Sequence, residues 1–118
     1  MDAELRTTVC RLVAGLVVSD DDFSPEEEAF IERMLARFQI DDRAKIFPIL
    51  DRSEAAASVR ALPAAVQQEA LRTLVEAAVA DGKVVEEERG YLLAVGEAMG
   101  LDEKAVERRI AEALGAPR

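Results

Sequence analysis

Histidine and tryptophan are absent from the 118 residues, and cysteine occurs once, as Cys10. Without imidazole there is no ordinary general base, no Ser-His or Cys-His pair and no usual zinc site. Glycine is sparse, and Gly96, Gly100 and Gly115 stand apart, so no glycine-rich phosphate loop occurs. Cys10 has no partner for an intrachain disulfide and falls within an apolar helical pattern, the place of a small buried residue. Aromatics make up only 4% of the chain, so the core must come from Leu, Val, Ala and Ile. Long apolar runs are missing too. The uncharged stretch from Leu12 to Ser19 is far too short to span a bilayer. The start Met1-Asp2-Ala3-Glu4 lacks the basic region of a signal peptide, and a cytoplasmic location is expected. Positive charge is also short: the net charge is −9 with a pI near 4.5, which disfavours nucleic acid and anionic membrane surfaces.

What is abundant is alanine, leucine, glutamate and arginine, all strong helix formers, in a chain of ordinary single-domain length. An all-α domain over residues 1–118 is expected. The acids are unevenly placed: residues 1–42 hold 11 acids and 4 bases, 43–80 hold 4 and 5, and 81–118 hold 9 and 6. The excess gathers around two stretches, Ser19-Asp20-Asp21-Asp22-Phe23-Ser24-Pro25-Glu26-Glu27-Glu28 and Ala80-Asp81-Gly82-Lys83-Val84-Val85-Glu86-Glu87-Glu88. Each closes an apolar helical run with aspartate, turns, and opens a new helix with glutamates.

Periodicity predicts about seven helices. The first covers residues 3–18, with Leu5, Val9, Leu12, Val13, Leu16 and Val17 on one face and Gly15 permitting a close crossing. Ser24 as N-cap, Pro25 at N1 and Glu27 as capping-box partner begin the second, which carries Phe30, Ile31, Met34, Leu35 and Phe38 inward and stops near Gln39. Asp41 is expected to cap a short third helix holding Ile46, Phe47, Ile49 and Leu50, kinked or ended by Pro48. Ser53 is expected to cap a short fourth helix reaching Ala61. Pro63 fits N1 of a fifth, with Val66, Ala70, Leu71, Leu74, Val75, Ala78 and Val79 as its stripe. A sixth spans about Glu86 to Met99, with Gly100 as its C′ residue. Asp102 caps a seventh, with Val106, Ile110 and Leu114 inside.

A shift of 61 positions places Val13 on Leu74, Asp20 on Asp81, Glu27 on Glu88, Phe30 on Tyr91 and Asp41 on Asp102. The expectation is an internal repeat over approximately 5–42 and 66–103: two pseudo-symmetric helical hairpins joined by short connector helices.

Two readings fit Asp20 and Asp81, which sit where the helix dipole disfavours negative charge. Either each carboxylate accepts N–H groups of the following turn, or the pair holds a divalent cation with Asp22 and with Glu27 or Glu88. The calcium loop of an EF-hand is excluded, because its sixth and twelfth positions would be Pro25 and Ile31, and the second copy has Lys83 and Val85 at the third and fifth. The glutamate runs suit helix first turns. An acyl-carrier role is excluded, since neither Ser24 nor Ser53 lies in an Asp-Ser-Leu attachment motif.

The stretch Val79-Ala80-Asp81-Gly82-Lys83-Val84-Val85-Glu86-Glu87-Glu88, running on to Met99-Gly100-Leu101-Asp102, resembles the tellurite-resistance TerB-like domains. So do Asp20-Asp21-Asp22-Phe23-Ser24-Pro25-Glu26-Glu27 and the helix start Leu62-Pro63. Asp21 stands where that family has glycine, and Val85 where it has serine or threonine. The resemblance implies an all-helical fold of about seven helices with the two turns brought together, acting as a non-enzymatic binding module in tellurite or stress response. Carried over, its acidic metal site would be Asp20, Asp22, Glu27, Asp81 and Glu88, for a divalent cation such as calcium and no other cofactor. The expected partner is a protein, without nucleic acid or membrane insertion, and the chain a monomer or weak dimer. The rivals are a structural adaptor docking through an apolar surface and a hydrolase using paired carboxylates.

Overall fold

In a computed structural model of the chain, residues 2–19 and 24–115 are described. They form six α-helices and one 3-10 turn: α1 (Ala3–Val17), α2 (Pro25–Arg37), the turn Arg43–Ile46, α3 (Arg52–Arg60), α4 (Ala64–Ala78), α5 (Glu86–Ala98) and α6 (Glu103–Gly115). The domain is all-helical, close to the expected count. No described helix is long and apolar enough to cross a membrane.

Helix α1 is the axis of the core. Its start is fixed by the Asp2 carboxylate, which accepts the Leu5 N–H at 2.9 Å. From Val9 onward nearly every position is buried, Cys10 and Gly15 included, because α1 is enclosed by α2, α3, α4, α5 and the 3-10 turn. Its main partner is α4, whose Ala70, Leu71, Leu74 and Ala78 complete the centre. Gly15 is required where it stands: a Cβ there would collide with the Leu50 carbonyl oxygen and the Tyr91 hydroxyl. Those two groups are themselves joined, Tyr91 donating to Leu50 O at 3.0 Å in a buried setting.

Two helix pairs share length and register. α1 and α4 have 15 residues each and begin at Ala3 and Ala64; α2 and α5 have 13 each and begin at Pro25 and Glu86, so each second member starts 61 positions after the first. The ends match as well. After α2 the N–H of Ile40 reaches Leu35 O at 2.8 Å with Gln39 at φ 61°, and after α5 the N–H of Leu101 reaches Gly96 O at 2.9 Å with Gly100 at φ 86°. Both are Schellman closures, and only the second has glycine in the left-handed position.

Between the pairs the chain departs from its expected course. Asp42 caps the 3-10 turn, accepting the Ala44 N–H at 3.0 Å, while Asp41 pairs with Lys45 at 2.9 Å. The third helix is thus four residues long and begins one position late. Phe47 precedes proline, which disfavours helical backbone, so the turn ends before it and its ring is 53% exposed. The cap of α3 is Asp51, not Ser53: its carboxylate accepts the Glu54 N–H at 2.8 Å, and Glu54 accepts the Asp51 N–H at 3.0 Å. That reciprocal box needs a glutamate three residues on, which Ser53 lacks. Pro63 sits at the N-cap of α4, one residue before the expected place. Leu114 is 41% exposed rather than inside, because α6 buries only Val106 and Ile110.

Candidate functional site

The acidic turns divide into residues spent on the fold and residues left at the surface. Ser24 accepts the Glu27 N–H at 3.1 Å and Glu27 accepts the Ser24 N–H at 3.0 Å, the capping box expected from sequence. Glu27 is only 3% exposed. Its counterpart Glu88 is 2% exposed at the same position of α5, but the N-cap there is Val85, which supplies no side-chain bond. Asp81 is exposed and accepts the Lys83 N–H at 3.4 Å, the turn-stabilising contact of the first reading at long range. Gly82, at φ 88°, donates its N–H to Val79 O at 2.9 Å and supports that turn. Asp20 and Asp22 lie outside the described residues.

Of the five acids assigned to a metal site, two are therefore buried at helix starts and one is exposed. Among the described residues no group of three or more carboxylate, thiol or imidazole side chains is arranged to hold a metal ion. Cys10 and Tyr91, the chain's one thiol and one phenol, are both buried. Burial pushes the Cys10 thiol up to about 12, against a smaller lowering effect of Arg37. Burial also raises the Tyr91 phenol, helped by the charges of Asp51 and Glu54.

Helices α2 and α5 are tied to the segments after their C-terminal turns by ion pairs of opposite polarity. Glu28 on α2 meets Arg43 at 2.6 and 3.1 Å, with Glu32 at 3.4 Å from the same guanidinium. The Arg43 hydrogen bond holds the Glu28 carboxyl below its ordinary value. On α5, Arg89 meets Glu107 at 2.9 Å.

The groove that the sequence did not announce lies where α1 ends, α3 begins and α5 starts. It encloses about 430 Å³ and is lined by Gly15, Val18, Ser19, Ile49, Leu50, Asp51, Arg52, Glu87 and Tyr91. The Gly15–Leu50–Tyr91 contact makes its floor, and Val18 and Ile49 make an apolar wall. Asp51, whose carboxylate caps α3, and Glu87 line it as acids, and Arg52, which lies against Gly90, lines it as a base. A smaller hollow of about 40 Å³ continues from Val18 and Ile49 to Phe47. Gly15 was the one sequence signal, since it marks a close approach. The rest is brought together from residues far apart in the chain.

A second hollow, of about 490 Å³, separates α4 from α6. Its walls are long side chains already engaged with each other: Arg72 with Glu69, and Arg109 with Gln68 at 3.2 Å. It presents as much apolar surface as the groove beside Gly15 and more polar surface. Comparison with protein-family models, curated proteins and solved structures finds no match to this chain.

Proposed function

We propose that the protein is a non-enzymatic, TerB-like interaction module that binds a partner protein through the groove between the end of α1 and the starts of α3 and α5. The reading rests on one observation above the others: a largely apolar groove, whose charged lining residues are Asp51, Arg52 and Glu87, opens beside the half-exposed Phe47. Apolar anchors ringed by charge are what a short partner segment needs for affinity and orientation. The chemistry that fits is an apolar side chain flanked by lysine or arginine, drawn by the acidic field of a chain with net charge −9. A non-catalytic role is supported by the missing histidine and by the buried states of Cys10 and Tyr91. The tellurite- or stress-response setting comes with the TerB resemblance, and a cytoplasmic location is part of the same proposal.

Selection of a displayed library of short peptides against the folded chain tests this reading. Enriched peptides are expected to carry an apolar residue between basic ones, and to lose binding to Phe47→Ala and to Asp51→Asn/Glu87→Gln. Enrichment indifferent to both variants would sink the idea. Thermal melts with calcium, magnesium, manganese and zinc form the second arm. A stabilisation that Asp81→Asn abolishes would move the reading from protein to cation.

A further inference from the structure

The exposed side of α2 carries a stripe that is complementary to itself. Glu26, Phe30, Arg33 and Arg37 recur at intervals of four, three and four and so lie along one line of the helix. Ile31, Met34, Leu35 and Phe38 face the core, and the stripe runs beside them. The Arg33 guanidinium stands 6.0 Å from the centroid of the Phe30 ring, and these residues with Met34 and Arg37 border a shallow hollow of about 230 Å³.

Helix α5 shows what covers this line elsewhere in the same chain. At the positions 61 further on stand Glu87, Tyr91, Ala94 and Ala98, and α3 packs on α5 more extensively than any other two helices pack. Tyr91 is 1% exposed there, whereas Phe30 is only partly buried. On α2 no described helix plays the part of α3. The two small residues, Ala94 and Ala98, are replaced by Arg33 and Arg37, so the face suits a charged partner rather than a close-packed alanine-rich one.

We propose that a second copy of this chain covers it, α2 against α2 in antiparallel fashion about a twofold axis at mid-helix. In that register Glu26 of each copy lies opposite Arg37 of the other, and Phe30 lies opposite Arg33. Every charge on the stripe then meets an opposite charge or an aromatic face, and each contact occurs twice, as an isologous interface requires. Within one chain Arg37 meets Glu76 at 3.8 Å, donates to Thr73 Oγ1 at 3.3 Å and lies 5.0 Å from the centroid of the Phe38 ring, so pairing with Glu26 of the second copy takes its guanidinium from those contacts. A helix of 13 residues is about 20 Å long, so the interface is smaller than a standard one and the dimer dissociates on dilution. This dimer is independent of the peptide groove.

Sedimentation equilibrium from about 1 to 500 μM, a range suited to a small interface, reads the mass. The wild type is expected to move from 12.9 kDa toward twice that value as concentration rises. Glu26→Arg alone and Arg37→Glu alone each place like charges opposite one another, and association should fall by about tenfold or more. An equimolar mixture of the two single variants restores both opposite-charge contacts and should regain dimer at the wild-type level. Circular dichroism confirms that each variant is folded. A wild type that stays at 12.9 kDa throughout overturns the proposal. So do single variants that associate like the wild type, or a mixture that stays monomeric.

Discussion

Helices α2 and α5 follow the two acidic turns, match in length, bury a glutamate at the third position and close with the same hydrogen-bond pattern, yet they are covered differently. α5 is sheathed by α3 and locked to α1 through Tyr91 and Gly15; α2 keeps one side open. The difference separates two kinds of information. Helix ends are set by a few neighbouring residues, so two related segments reach the same ends. Cover is set by what the chain does next. After α2 it breaks at Phe47-Pro48 and turns back as α3 over α5, while after α5 it continues as α6 through Gly115.

The largest effect that would break this comparison is expected at Gly15. Gly15→Ala forces a methyl group into Leu50 O and the Tyr91 hydroxyl and should cost about 2–3 kcal/mol in urea unfolding. Its register counterpart is the half-exposed Glu76, and Glu76→Ala should stay within about 0.5 kcal/mol. Similar costs at both positions would contradict the asymmetry of cover.

The caps come next. Ser24→Ala removes a capping box and should cost about 1 kcal/mol, whereas Val85→Ser supplies the missing hydroxyl at α5 and should raise stability by about 0.5–1 kcal/mol. At the other end, Gln39→Gly relieves a left-handed non-glycine residue and should stabilise by about 0.5–1 kcal/mol, while Gly100→Ala should destabilise by a similar amount. Denaturant midpoints of the four variants give these signs directly.

The smallest effect concerns Glu28. Its carboxyl is depressed by Arg43, so its contribution is present above the unfolded-state value and disappears as pH falls through the lower folded value. An NMR titration should find Glu28 below the usual carboxylate range and Arg43→Gln should return it. Because the pair is solvent-exposed, the melting temperature should hardly change.

Much of the fold was legible in particular residues. Ser24, Pro25 and Glu27 specify a helix start by local chemistry alone, and Gly100 specifies a stop. Gln39 makes the same stop without glycine, which the sequence marked only as an end. Ser53 and Asp51 could both cap α3, and Glu54 decides for Asp51. Phe47 was expected in the third helix, which ends before it because proline follows. Leu114 was expected inside because periodicity counts apolar residues without knowing whether anything lies above them. The site was less legible for the same reason. Glu27 lines up with Asp81 and Glu88 as a plausible set of ligands, yet it is consumed by its own helix cap. The groove depends on Gly15, the 49–52 segment and the start of α5 meeting in space, and only Gly15 hinted at that.

The most direct test of the interaction module is an amide NMR titration of the folded chain with a library-selected peptide. The account predicts shifts concentrated at Val18, Ile49, Arg52, Glu87 and Tyr91, saturating together and weakened in Phe47→Ala. Shifts centred instead on the α4–α6 hollow around Arg72 and Arg109, with the groove unmoved, would contradict it.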